Sequence, residues 1–203
     1  MRSGTLHVLF GFFAALFVAS QLNIIAELGP IGADLIRLQS TLSAETFRNT
    51  LDGFTAGELA RYRGHFAWDS VHPLIYGGLL LLWTYVVHRR RPFSTRVMRT
   101  LVGLAIAAPA LDYVENGFHL FLETHREAIN AATVAVSGTA TILKSLLLAV
   151  LVVALLLATV RALLTRPRPA LNHLAPMPYR PAAAPTPADE PVEDDDLDND
   201  RDR

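Results

Sequence analysis

The run APALDYVENGFHLFLETH, residues 108–125, spaces Asp112, Glu115, Asn116 and His119 at i, i+3, i+4 and i+7, which puts all four on one side of a helix. Carboxylates and an imidazole so placed suit proton transfer, because these side chains readily take up or give a proton in a reaction. Glu115 and His119 at i, i+4, together with Asp69 and His72 at i, i+3 elsewhere, also make a carboxylate and imidazole set of the kind that ligates metals in helical bundles. Lys144 adds a third chemistry. It is the only lysine beside seventeen arginines, and a buried ammonium can neutralise itself where a guanidinium cannot.

The elements that must position these residues are strongly apolar. Blocks at 5–27, 68–88, 100–122 and 131–160 each reach the ~20 residues that cross ~30 Å of hydrocarbon as a helix. None shows the alternation that a membrane barrel strand requires. The expected fold is therefore all-α: a four-helix transmembrane bundle in residues 1–165 with a helical outer loop, followed by a disordered tail at 166–203. Arg2, the first apolar run and VAS at 18–20 also fit a signal peptide cut before Gln21. Leu22, Ile24 and Ile25 carry the apolar character past that point, which favours a span.

Arginine placement sets the expected orientation. HRRRPFSTRVMR follows the second block and RALLTRPRP follows the fourth; with Arg2 they fall on one side of a four-pass chain. The positive-inside rule then predicts a multi-pass protein of the plasma (inner) membrane with both termini cytoplasmic. The formal net charge of −1 combines unlike parts, since residues 189–203 hold nine acidic and two basic residues while the remainder has 16 basic and 10 acidic. A Pro-rich and then acidic tail cannot bury a core. The absence of cysteine excludes thiol redox chemistry and the usual iron–sulfur ligation.

In the outer loop, TAGE at 55–58 is a capping box that opens a helical pattern through Leu59, Tyr62 and Phe66 into the second span. The pattern predicts a helix from 56 to 88, ~50 Å long, bent at Pro73. Phe47 and Leu51, four residues apart, predict a short amphipathic helix over the outer mouth of the bundle.

Burial of the carboxylates is costly. An Asp at the centre of a span costs about 2.5–3.5 kcal/mol, against a return of about 0.3–0.6 for each strong apolar residue. Two carboxylates nearly cancel the third span's preference for lipid, so they must face protein or water and find partners there. With the outer end of that span near Thr124, Asp112, Glu115 and His119 sit about 18, 13 and 7 Å deep. Lys144, counted from Ala131, is about 20 Å deep and level with Asp112.

The other spans carry matching stripes: Ser20, Asn23 and Glu27 in the first, Asp69, His72 and Tyr76 in the second, Ser137, Thr141 and Lys144 in the fourth. Ala131, Ala135, Ser137, Gly138 and Ala140 allow close approach of the fourth helix. Convergence of four stripes at one depth predicts a polar, outward-opening intramembrane pocket for a small or lipid-like ligand. Asp112, Glu115 and Lys144 are its candidate catalytic residues. Asn23, Asp69, His72, Tyr76, Asn116 and His119 are its candidate ligand-binding residues.

Asp69, Pro73 and Tyr76 in DSVHPLIYG, the DYVEN of residues 112–116 and the lone Lys144 resemble a pattern of small bacterial four-span membrane proteins of unassigned function. The resemblance covers residues 5–160 and implies the topology; it carries over Asp69, Tyr76, Asp112, Glu115, Asn116 and Lys144, and no activity.

Three functional classes follow from the residues. An enzyme would transfer protons on an amphipathic substrate, with Glu115 or Asp112 as acid and base and Lys144 stabilising developing negative charge. A metal or haem protein would use the Glu115, His119, Asp69 and His72 set, against which Lys144 stands as a cation at the same depth. A small transporter or assembly factor would act as a homo-oligomer, since four helices are few for an alternating-access carrier. Membrane lipids are the expected surroundings, no nucleic-acid partner is expected, and the sequence selects no cofactor.

Overall fold

The computed structural model describes residues 3–165; the expected tail at 166–203 lies outside them. The described chain is helical throughout, without a strand: α1 (Ser3–Leu28), α2 (Gly32–Ser40), α3 (Ala44–Asp52), α4 (Ala56–Asp69), α5 (His72–Arg90), α6 (Thr95–Thr124) and α7 (Ala131–Leu164), with short 3-10 turns at Gly29–Ile31 and Arg126–Ala128. Four stretches are long and apolar enough to cross a membrane: Gly4–Ser40, Ala56–Arg90, Thr95–Thr124 and Ala131–Leu164. Their outer faces remain uncovered, as at Val8, Leu22, Leu146 and Leu157. Such broad apolar faces are costly in water and natural in lipid.

The four long helices run alternately up and down. At one end Arg90 Nη2 meets His7 Nε2 at 3.3 Å and Arg91 Nη1 donates to Thr165 Oγ1 at 3.0 Å, which gathers the start of α1, the α5–α6 turn and the end of α7. The opposite end, here the loop end, carries α2, α3 and α4. These are packed elements: Leu38, Phe47, Leu51 and Tyr62 join Leu122 and Val134 in one core. A second core, including Leu80, Ala105, Leu151 and Leu155, lies between α5, α6 and α7.

The caps follow the local sequence. Thr55 and Glu58 close the expected capping box of α4, and Asn130 caps α7 through the amides of Ala132 and Thr133. Phe47 and Leu51 are buried on α3 as their spacing predicts. The helix at Gly32–Ser40 was not expected, although Ile31, Leu35 and Leu38 show its apolar spacing.

The single helix expected over 56–88 is interrupted. α4 ends at Asp69, Ser70 and Val71 form a joint, and α5 starts at His72. Pro73 explains the break, because in a continuous helix its ring would press on the Asp69 carbonyl and leave it without a donor. That carbonyl accepts from Asn116 Nδ2 at 3.3 Å, and the Ser70 carbonyl accepts from Tyr113 Oη at 2.6 Å. α6 thereby satisfies the backbone freed at the joint, which in lipid would otherwise cost several kcal/mol per group.

Two close approaches fix the bundle. A Cβ on Gly77 would lie 2.8 Å from Pro109 Cγ, inside α6, and one on Gly138 would run into the Thr41 carbonyl between α2 and α3. Absence of a side chain at these positions seats α5 against the proline of α6, one turn before Asp112, and seats α7 under the loop end.

Candidate functional site

Asp112, Glu115 and Lys144 meet. Lys144 Nζ donates to Asp112 Oδ1 at 2.7 Å and stands 2.6 Å from Glu115 Oε2. The second contact is an ion pair, so one ammonium is shared between Asp112 and the fully buried Glu115. Asp112 Oδ2 accepts from Tyr76 Oη at 2.9 Å. One ammonium thus lies between two carboxylates, and a phenol from α5 closes the far side of Asp112. The Lys144 side chain is 15% exposed, that of Asp112 7% and that of Glu115 not at all, so the group is enclosed by protein rather than spread over a surface.

Beside this centre is a cavity of about 560 Å³. Its polar end is formed by Asp112 and Lys144 with His65, Asp69, His72 and Tyr76. Its apolar end is formed by Leu79, Leu80 and Trp83 of α5 and Leu148 and Val152 of α7. Phe17, Gln21, Ile24 and Leu28 of α1 make one wall, and Leu35 and Gln39 of α2 lie at the loop end. Trp83 is fixed at the apolar end by donating Nε1–H to Thr159 Oγ1 at 2.9 Å. α1 packs along α5 and α4, and α7 along α6 and α5, but α1 and α7 are not packed along one another. The cavity lies between the two helices that leave this gap.

The remaining residues singled out by sequence fall in different places. His72 lines the cavity, shares a hydrogen bond with Ser20 Oγ through Nδ1 at 2.9 Å and stacks on Phe17. Asp69 lines it too, with its carboxylate 3.9 Å from His65 Nε2. Asn116 is committed to the α4–α5 joint, its Oδ1 buried without a partner. His119 is buried behind the centre, where Nδ1 shares a hydrogen bond with Tyr62 Oη at 2.7 Å and Nε2 has no partner. Asn23 is outside the cavity lining, and its Nδ2 is buried without an acceptor. Among the described residues no three His, Asp or Glu side chains come together as a metal-binding group; His72 and His119 are turned to different partners on different elements.

Several residues of the site were missed by sequence reasoning. Gln21 follows Ser20 in the first stripe, Gln39 belongs to the unexpected α2, and Tyr62 and His65 lie on α4, which had been read for its apolar pattern alone. His65 occurs four residues before Asp69 on the same helix, and that spacing is the signal that could have found it. Close by, Arg63 Nη2 donates to the buried Glu123 Oε1 at 2.6 Å, an ion pair with one end in solvent. No protein-family model, curated protein or solved structure matches this chain.

Proposed function

We propose that this chain is a polytopic membrane protein that binds a lipid-like ligand in the cavity between α1, α5 and α7, with the Lys144 centre at the ligand's polar end. The observation that supports this reading most directly is the division of the cavity. Charged and hydrogen-bonding groups are gathered at one end, and Leu80, Trp83, Leu148 and Val152 form the other. Small-molecule sites have this form, apolar walls with a few convergent polar groups in a volume of ~300–1,000 Å³. The helix ladder from His72 to Trp83 gives the cavity a long axis of ~16 Å, running with the bilayer normal as an extended chain would. The gap between α1 and α7 offers a route from the surrounding lipid, and α2 covers the loop end, so access is lateral rather than through an open outer mouth.

In this reading the loop end faces outward and both termini are cytoplasmic, as the arginine clusters require. The DxxxPxxY, DYVEN and lone-lysine pattern resembles that of small bacterial four-span membrane proteins, and the resemblance supports this topology. Acid and base chemistry at the site would run through Asp112 Oδ2, which faces Tyr76, with Lys144 holding the opposite oxygen.

Native mass spectrometry of protein released from lipid nanodiscs tests the proposal. The parent protein is expected to carry a lipid-sized adduct that is lost when Leu148→Trp fills the cavity. Equal adducts on parent and variant, or none on either, would overturn the reading.

A further inference from the structure

Among the described residues the cavity wall carries two carboxylates, Asp69 and Asp112, against one lysine, and this points to the head group of its occupant; the inference rests on the lipid-like ligand proposed above. Among the described residues Lys144 is the only cationic side chain in the cavity wall, apart from the two histidines, and Asp112 and Glu115 already flank it. Its charge is more than matched before any ligand arrives, so an anionic head group would find no unpaired cation. Asp69 is the carboxylate left over. Its Oδ2 lies 3.9 Å from His65 Nε2, too far for a hydrogen bond.

The state of His65 follows from its other nitrogen. Nδ1 contacts the Tyr62 carbonyl oxygen, and a carbonyl can only accept, so Nδ1 carries the hydrogen. In the neutral ring Nε2 is then an acceptor. That atom is buried without a partner in a residue only 1% exposed, and the residue belongs to the cavity lining. Asp69 Oδ2 and His65 Nε2 are therefore two acceptors side by side with no hydrogen bond joining them, and the Asn116 amide is the neighbour that reaches the Asp69 carboxylate. A buried acceptor left unpaired is costly, and a donor carrying positive charge would satisfy both atoms while balancing Asp69.

We propose that the occupant is a single-chain amphiphile with a primary ammonium head group, its N–H donors directed to Asp69 and His65 and its chain lying along Leu80, Trp83 and Leu148. A quaternary ammonium of the same chain has the charge but no N–H. An aminophospholipid brings a phosphate for which the wall has no free cation.

Trp83 makes the proposal measurable, because it lines the apolar end and Trp68 is the only other tryptophan. In a Trp68→Phe background, protein in phosphatidylcholine nanodiscs is titrated with amphiphiles of one chain length bearing bromine near the chain end, which quenches nearby indole fluorescence. The primary alkylamine is expected to quench saturably, at a mole fraction at least tenfold below that of the trimethylammonium, alcohol and carboxylate forms. Asp69→Asn is expected to remove that preference while the neutral alcohol quenches as before. If the carboxylate or trimethylammonium form quenches as well as the amine, or Asp69→Asn leaves the preference intact, the head-group assignment is wrong and the cavity reading stands. If unlabelled phosphatidylethanolamine in the disc blocks quenching as well as unlabelled amine does, the occupant is the aminophospholipid and the single-chain assignment is wrong. If no amphiphile quenches saturably, the lipid-binding cavity itself is refuted.

Discussion

Lys144 Nζ stands 2.7 Å from Asp112 Oδ1 across the interface of α6 and α7. The contact explains how two carboxylates are tolerated in one apolar helix: α7 supplies the counter-charge from the same depth, and α5 supplies the Tyr76 hydroxyl. Removing one partner of a buried pair costs about 3–5 kcal/mol, because the other charge is left uncompensated. Lys144→Met or Asp112→Asn is expected to lower the thermal stability of the protein in nanodiscs by an amount of that order. The double variant should recover part of the loss, with the remainder assigned to Glu115, which loses its only cation. Additive effects of the two changes would show that the contact is not an energetic one.

Tyr76 belongs to the same network, and the expected effect of Tyr76→Phe is smaller. It removes one hydrogen bond to a charged acceptor, worth about 1.5–3 kcal/mol, and leaves the ring in place against His72. In a Lys144→Met background the same change should cost a different amount, because both side chains hold Asp112. A double-mutant cycle measured by thermal unfolding checks this, and strict additivity would separate the two contacts.

The level of Asp112 and Lys144 was legible in the sequence because helix rise is constant: counting residues from the ends of two antiparallel spans is enough to bring them together. The spans themselves were legible for a similar reason, since ~20 apolar residues have few other uses. The joint at Ser70–Val71 was legible only as a bend. Pro73 announces a disturbed backbone, but whether the helix kinks or stops depends on whether other side chains can bind the freed carbonyls, and here Asn116 and Tyr113 do so from a different helix. Asn116 was read as a ligand-binding residue, and its contact with the Asp69 carbonyl at the joint was not foreseen. A polar pocket was expected from the converging stripes, but its apolar half and its side of the bundle were out of reach for another reason. Both depend on α1 and α7 failing to pack along each other, a property of no single segment.

The glycines of the close approaches give a prediction about packing. Gly138→Val would drive a branched side chain into the Thr41 carbonyl and the Leu42 side chain, at a cost of about 1–3 kcal/mol for overpacking, or more if the backbone cannot move. Gly103→Val is the control, because a Cβ built there meets nothing within 4 Å beyond its own stretch of helix. Melting temperatures of the two variants should therefore differ, with Gly138→Val the lower; equal values would mean that the loop end yields freely.

Orientation is open to a direct measurement. A reporter fused after Arg168 is expected to be cytoplasmic, and one inserted near Gly53 external, because Arg90 and Arg91 lie at the opposite end of the bundle from α3. An external carboxyl-terminal reporter would invert every depth assigned to the site, although not the contacts within it.

His119 carries the last prediction, because it separates the structural from the metal-binding reading of the run that holds it. Its Nδ1 is engaged by Tyr62 Oη at 2.7 Å, its ring packs against Phe47, and the residue is 1% exposed. A metal bound by His119 and Glu115 with Asp69 and His72 would need the two imidazoles to converge, yet His72 faces Ser20 and Phe17. The expected result is that purified protein lacks near-stoichiometric transition metal by elemental analysis, and that His119→Ala changes stability rather than metal content. That substitution leaves the Tyr62 hydroxyl buried without its partner and opens a void, two effects that together cost about 2–5 kcal/mol. Tyr62→Phe in the same background should then restore part of the loss by removing the orphaned hydroxyl. Near-stoichiometric metal that disappears in His119→Ala would reverse the conclusion, since it would require the helices to rearrange so that Glu115 and His119 act as ligands and not as the buried support of Lys144 and Tyr62.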